Sequence, residues 1–280
     1  MASSVFKRFC RQRAALAGAL FVVALGALAL LAPWLTGSPW EMNARPLLLP
    51  FSDLGHWLGS DMLGRDLARE LLYGARVSLG VGLAASLATL AVGLLVGAVA
   101  GYFGGWVDAL LMRASEFFQI MPALVLAVLL VAVLEPSTTS VIIAIAVVAW
   151  PGIARLVRSE FLSLRQREFV QAAQVLGLSP WAIITREILP NAMAPLLVSL
   201  TFVLASAILT EAALAFLGLG DPEAMSWGYM INASRSLLHE AWWMSLFPGV
   251  AILLLVLAIN RVGEGLRVAL QIPGRGQVAA

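Results

Sequence analysis

Cysteine, lysine and histidine are nearly missing from this sequence, and each shortage removes a class of chemistry. Cys10 is the only cysteine, so no disulfide can form within the chain. It lies among Lys7, Arg8, Arg11 and Arg13, with an apolar run after it rather than before it, so it reads as an incidental thiol and not a lipidation site. Lys7 is also the only lysine, and the other 17 basic residues are arginines. A Walker A loop needs a lysine behind its glycines to hold nucleotide phosphates. Lys7 has no such neighbours, so this chain is not expected to bind ATP in that way. The two histidines, His56 and His239, read as interfacial or surface residues. Glu240 follows His239, but Trp243 stands where HExxH needs its second histidine. There is no CxxC pair and no GxSxG elbow. Neither a catalytic residue nor a metal site is expected, which disfavours an intramembrane hydrolase.

Charge is scarce as well. Only 12% of the 280 residues are charged and 61% are hydrophobic, a balance that a water-exposed surface cannot carry. Lipid can replace water around such a chain. The net charge of +2 matters by location rather than by total, and no nucleic-acid partner is expected.

Six apolar spans can be marked, at roughly 14–32, 77–101, 107–134, 139–157, 193–217 and 244–262. Stretches near 20 residues suffice to cross a hydrocarbon core of about 30 Å. The first has a basic flank like a signal peptide. Its apolar run is longer than such a core, and Pro33 and Trp34 follow instead of a small-residue cleavage site, so it reads as an uncleaved anchor. The spans divide the chain into 1–75 (tail, anchor and outer loop), a 76–267 membrane core and a 268–280 tail.

Arginine placement sets the expected orientation. Lys7 to Arg13 precede span one. Arg155, Arg158, Arg165, Arg167 and Arg186 crowd the stretch between spans four and five, and Arg261, Arg267 and Arg275 follow span six. With six spans these regions share one side, the cytoplasm, together with both termini. The opposite side receives the mixed-charge segment 33–75 and the segment 218–243. Trp34, Trp40, Trp57, Trp227, Trp242 and Trp243 fall near those outer ends, where amphipathic rings favour the interface.

Within the spans, Gly93, Gly97 and Gly101 recur every four residues and share one helical face, suited to a close helix contact, moving or static. Glu116 and Gln119 in span three, and Thr210 and Glu211 in span five, are polar groups that lipid would penalise. They are candidates for lining or gating a pathway, or for hydrogen bonds that fix packing. Pro122 is a potential kink in span three. Residues 61–75 suit an amphipathic helix outside the membrane, either an ordinary interfacial helix or a contact for a partner.

The stretch Glu168–Asn191 reads as two short helices with a hard break. Residues 168–176 contain no breaker, Gly177 suits the left-handed position that ends a helix, Ser179 can cap the next one, and Pro180 suits its first turn. That helix is expected to run to about Ile188, before Pro190 redirects the chain. Trp181, Ile184 and Ile188 then fall near one face. Such a helix can offer a knob to a partner's groove or lie on the membrane. Spacing alone does not choose.

Gln171-Ala172-Ala173, then Gly177, then Leu189-Pro190, resembles the EAA loop of ABC-importer permeases. Gln171 replaces the first glutamate of that motif and Glu187 stands where the generic motif has isoleucine; both occur in the peptide-type branch. Further segments resemble that branch: Gly59-Ser60-Asp61-Met62-Leu63-Gly64-Arg65-Asp66, Tyr73 to Leu79, Leu164 to Val170, Phe216 to Gly220, Ser226-Trp227-Gly228, Phe247-Pro248-Gly249 and Asn260 to Leu266. The chain is thus similar to the second, C-type permease subunit of dipeptide, oligopeptide and nickel ABC importers.

The resemblance implies an all-α type I importer fold with six transmembrane helices and a cytoplasmic coupling helix, in a bacterial or archaeal cytoplasmic membrane. It implies a second homologous permease, two ATP-binding subunits carrying ATP and Mg, and an extracytoplasmic substrate-binding protein. Coupling to an ATPase subunit would fall on Gln171, Ala172, Ala173, Gly177, Ser179, Pro180, Trp181, Ile184 and Ile188. Peptides lead as substrate, with nickel, metal chelates and glutathione-like compounds as alternatives. A self-sufficient channel or secondary transporter is a remote alternative.

Overall fold

A computed structural model describes residues 2–270. Arg275 and residues 271–280 of the expected 268–280 tail lie outside the described residues. Among those described, all regular structure is helical apart from two isolated bridges, Met42 with Arg65 and Ser60 with Asp66. The helices are α1 (Ala2–Cys10), α2 (Arg13–Leu35), α3 (Leu67–Phe103), α4 (Gly105–Gln119), α5 (Ala123–Leu134), α6 (Thr138–Arg165), α7 (Glu168–Val175), α8 (Pro180–Ala182), α9 (Leu189–Phe216), α10 (Trp227–Ser234) and α11 (Trp243–Leu270). A π-helical segment, Ile183–Ile188, joins α8 to α9 without interruption, so Pro180–Phe216 is one continuous helix.

Five helices are long and apolar enough to cross a membrane, and α4 with α5 makes a sixth crossing only if the bent pair counts as one. Span three, expected as a single helix over 107–134, is instead broken at Ile120–Pro122 with an 84° bend. Pro122 has no N–H to donate and sits at ψ 130°, outside the helix. Its ring also disfavours helical geometry at the residue before it. α5 is 12 residues long, or about 18 Å, against a hydrocarbon thickness of about 30 Å.

α3 is the central column. An added methyl group on Gly93 would meet Ile153 at 2.6 Å, and one on Gly101 would meet Phe161 at 2.7 Å. At Gly97 it would overlap the Ala154 carbonyl oxygen. The three glycines therefore let α3 and α6 approach backbone to backbone. α9 packs on α3 and α11, and α2 packs on α11. The Gln12 side chain donates to the Gly265 carbonyl, which places the start of α2 beside the end of α11.

At the end opposite the α6–α9 loop, the segment between α2 and α3 has no helix but is pinned. Asp61 accepts from the backbone N–H groups of Leu63 and Arg65 at 2.8 Å each and from the Arg65 guanidinium. Arg65 also pairs with Glu70 at 3.0 Å and lies 5.2 Å from the Trp40 ring. Asp61, Arg65 and Glu70 are all buried. Instead of a separate helix over 61–75, the Asp66 side chain caps α3 by accepting from Ala68 N–H, and the helix then runs unbroken through the membrane-length stretch. Trp227 and Trp243, expected at the interface, are core residues. Their indole N–H groups donate to the carbonyls of Leu71 and Ser60.

Candidate coupling loop and membrane pathway

The break at Gly177 forms as the residue types require. α7 ends at Val175, and Gly177 takes φ +76°, the left-handed region that glycine enters without strain. Gly177 N–H donates to Gln174 O and Leu178 N–H to Ala173 O, closing the end of α7. Ser179 then accepts from Ala182 N–H, with Pro180 in the first turn of α8.

The next helix does not stop at Ile188. A regular α-helix through Pro190 would lack one N–H and crowd the proline ring against the carbonyl four residues back. The π-helical segment just before it widens the turn: Leu189 N–H reaches Ile184 O, five residues back. The Asn191 side-chain amide also donates to Glu187 O. The proline is absorbed and the chain continues as α9.

The extra residue in the π turn rotates the following side chains by about 100° relative to an ideal helix. The expected face divides at its start: Trp181 is exposed, while Ile184 and Ile188 are both buried. Ile183, Ile184 and Ile188 are buried in the chain's own core with Val157, Phe161, Leu164, Val170 and Ala173. Ile184 and Ile188 therefore face this chain's own core rather than sharing an exposed face with Trp181. Trp181 remains 58% exposed, its ring 6.3 Å from Phe103 at the end of α3. Gln171, Ala172, Gly177, Ser179 and Pro180 are exposed, while Ala173 faces inward.

Two residues absent from the expected set stand out. Val175 and Leu176, just before the break, are 88% and 79% exposed. With Trp181 they place exposed apolar side chains on both sides of Gly177 along the chain, an apolar edge of the loop. Their signal in the sequence was two consecutive large apolar residues immediately before a helix-ending glycine. The Arg165 guanidinium lies over Tyr102 at 5.8 Å, and Arg158 pairs with Asp108 of α4. These contacts tie α6 to α3 and α4, and the loop itself packs on α3 and α6 through Trp181 and the buried isoleucines.

The pathway candidates divide. Glu116 is on the exposed side of α4, facing Arg113 at 3.9 Å, and Gln119 accepts from Arg155 of α6. Neither lies in the core. Thr210 bonds back to Ser206 O in its own helix. Glu211 is buried and accepts from the Ser78 hydroxyl at 2.9 Å, and Ser78 lies 3.4 Å from Trp227 N–H. Glu211 therefore ties α9 to α3 near the start of α10, as a packing carboxylate would.

Residues 93–271, from the contact face of α3 through the loop to the end of α11, match the model of the binding-protein-dependent transport system inner membrane component family. The chain belongs to that family. Residues 1–50 match the N-terminal transmembrane domain of oligopeptide transport permease C. The dipeptide transport system permease protein DppC of Alkalihalophilus pseudofirmus is 41% identical over 95% of this chain and 88% of its own length. A putative peptide transport system permease of Brucella suis is 43% identical over 93% and 88%. The glutathione transport system permease GsiD of Escherichia coli is 40% identical over 95% and 88%. In fold, the chain is similar to the MetNI methionine ABC transporter in an inward-facing conformation, with a TM-score of 0.59 and 21% identity over 69% of this chain and 93% of that one. The chain is a multi-pass inner membrane component with the type I ABC importer permease fold.

Proposed function

We propose that this chain is a non-catalytic half of the translocation pathway for short peptides, driven by ATP and Mg on two separate ATPase subunits. A second permease completes the pathway, and an extracytoplasmic binding protein delivers the substrate. The observation that carries the coupling reading is the apolar edge of Val175, Leu176 and Trp181 around the left-handed Gly177. Large apolar side chains so exposed, at the arginine-rich end where water is expected, are unfavourable unless a partner covers them. On this reading that end is cytoplasmic, and the coupling contacts are Gln171, Ala172, Val175, Leu176, Ser179, Pro180 and Trp181. Ala173 and Gly177 set the geometry.

The peptide assignment draws on relatives named for dipeptides, peptides and glutathione at 40–43% identity over nearly the whole chain. Glutathione is itself a small peptide, so both sets of names share one chemistry. The test is uptake by cells lacking only this chain, with and without its return on a plasmid. Labelled dipeptide or tripeptide uptake should depend on the returned chain, and Leu176→Glu should abolish it with normal membrane levels. Dependence of nickel uptake, with none for peptides, would reject the assignment.

A further inference from the structure

A cavity of about 680 Å³ opens at the end opposite the coupling loop, between the segment after α2, the outer part of α3, the start of α6 and the turn before α10. That volume is in the range of small-ligand sites, about 300–1,000 Å³. Its lining combines features that lipid exposure alone does not explain. Arg76 and Glu223 stand on it as opposite charges, and among the described residues neither side chain has an ion-pair or hydrogen-bond partner. Trp40 and Tyr73 supply aromatic wall, and Val77 and Met225 supply apolar wall.

The walls are held by independent ties. Asp221 accepts from the backbone and hydroxyl of Thr138, which fixes the turn carrying Glu223 to the start of α6. Trp40 is held by the Arg65 guanidinium and packs edge-on against Tyr229. Val77, Val81, Thr138 and Ala224 also line a small void next to it that reaches the buried carboxylate of Glu211. The cavity therefore leads toward the polar tie between α3 and α9.

We propose that this cavity binds a short peptide by its free ends, with Arg76 receiving the terminal carboxylate and Glu223 the terminal ammonium group, a subsite that rests on the peptide reading above. An uncompensated cation and anion on one cavity match a zwitterion and disfavour a bare cation or an anion. Aromatic and apolar walls accept varied side chains without specifying them. Recognition of the termini, not the side chains, makes such a site tolerant of sequence.

The test uses the complete permease–ATPase complex in nanodiscs without the binding protein, titrated calorimetrically with trialanine, its N-acetyl form and its C-terminal amide. Trialanine should bind saturably and each blocked form about tenfold more weakly. Arg76→Gln should weaken trialanine about tenfold while leaving the amide unaffected. Glu223→Gln should weaken trialanine about tenfold while leaving the N-acetyl form unaffected. A general folding defect would weaken every ligand equally. Equal binding of free and blocked peptides, or no saturable binding, would overturn the proposal. So would loss of binding-protein docking in Arg76→Gln with no dependence on peptide termini, which would make the cavity a protein-docking pit. If the intact system with its binding protein imports no peptide at all, the peptide reading itself falls. Import with indifference to blocked ends overturns only this subsite.

Discussion

Gly177 has open space where a Cβ would stand, yet its φ of +76° is one that side chains rarely adopt. The constraint there is conformational and not steric. Gly177→Val should cost about 1–2 kcal/mol locally and shift the angle between α7 and α8. The expected outcome is normal complex assembly with uptake below about a tenth of the parent value, measured beside ATP hydrolysis in the same vesicles. Gly177→Asn, which tolerates the left-handed region, should keep most of the transport. At Asp221 the sensitivity is to pH. Burial would raise its pKa, but the Thr138 hydroxyl and the N–H groups of Glu223 and Thr138 hold it below its ordinary 3.8. A depressed carboxylate stabilises the fold above its ordinary value, and that contribution is lost as pH falls through the lower folded value. Thermal melting of the purified protein should therefore drop below about pH 4, and Asp221→Ala should melt lower at neutral pH by about 1 kcal/mol of stability while losing part of that acid dependence.

Among the elements, the α3–α6 contact is where backbone proximity matters most. Gly97→Val should destabilise by about 1–3 kcal/mol, because the Ala154 carbonyl and Val157 leave no room for it. Gly152→Ala, on α6 with nothing within 4 Å, is the control and should be neutral or slightly stabilising. Detergent-solubilised variants compared by thermal melting check the pair. The glycine spacing every four residues was readable in the sequence because helical periodicity maps directly onto a face. The Ser179 cap and the Gly177 break were readable for the same local reasons. The broken third span was only half readable: Pro122 marks the place, but 84° depends on what α4 finds to pack on, here Arg158 through Asp108. The burial of Ile184 and Ile188 was not readable, since the residues that cover them, Val157, Phe161 and Val170 among them, lie in other helices. Glu211 was singled out as costly in lipid, but its partner Ser78 lies 133 positions away.

For the whole molecule, orientation is the quantity that every functional statement depends on. Cys10 is the only native thiol, so a Cys10→Ser background allows single reporters. A cysteine at Leu176 should react with a membrane-impermeant maleimide only in inverted vesicles. One at Trp57, 65% exposed in the segment between α2 and α3, should react only in right-side-out cells. The reverse pattern would place the apolar edge away from any cytoplasmic ATPase and would undo the coupling assignment.

The helix Pro180–Phe216 extends 37 residues without a gap, or about 55 Å, nearly twice the hydrocarbon thickness. Trp181 stands at one extremity and Glu211 near the other, on the same rod. Pivoted at mid-membrane, a tilt of ~10° would carry each extremity ~5 Å in opposite directions. If the ATPase subunit pushes at Trp181, as proposed above, such a pivot would act as a lever with an arm ratio near one, and a push inward on one side of the membrane would arrive as an outward swing of similar size on the other. No relay of side-chain rearrangements is needed in between. The widened π turn and Pro195 sit on the arm nearest Trp181, so compliance there, more than anywhere else along the helix, would set how much of such a stroke is delivered.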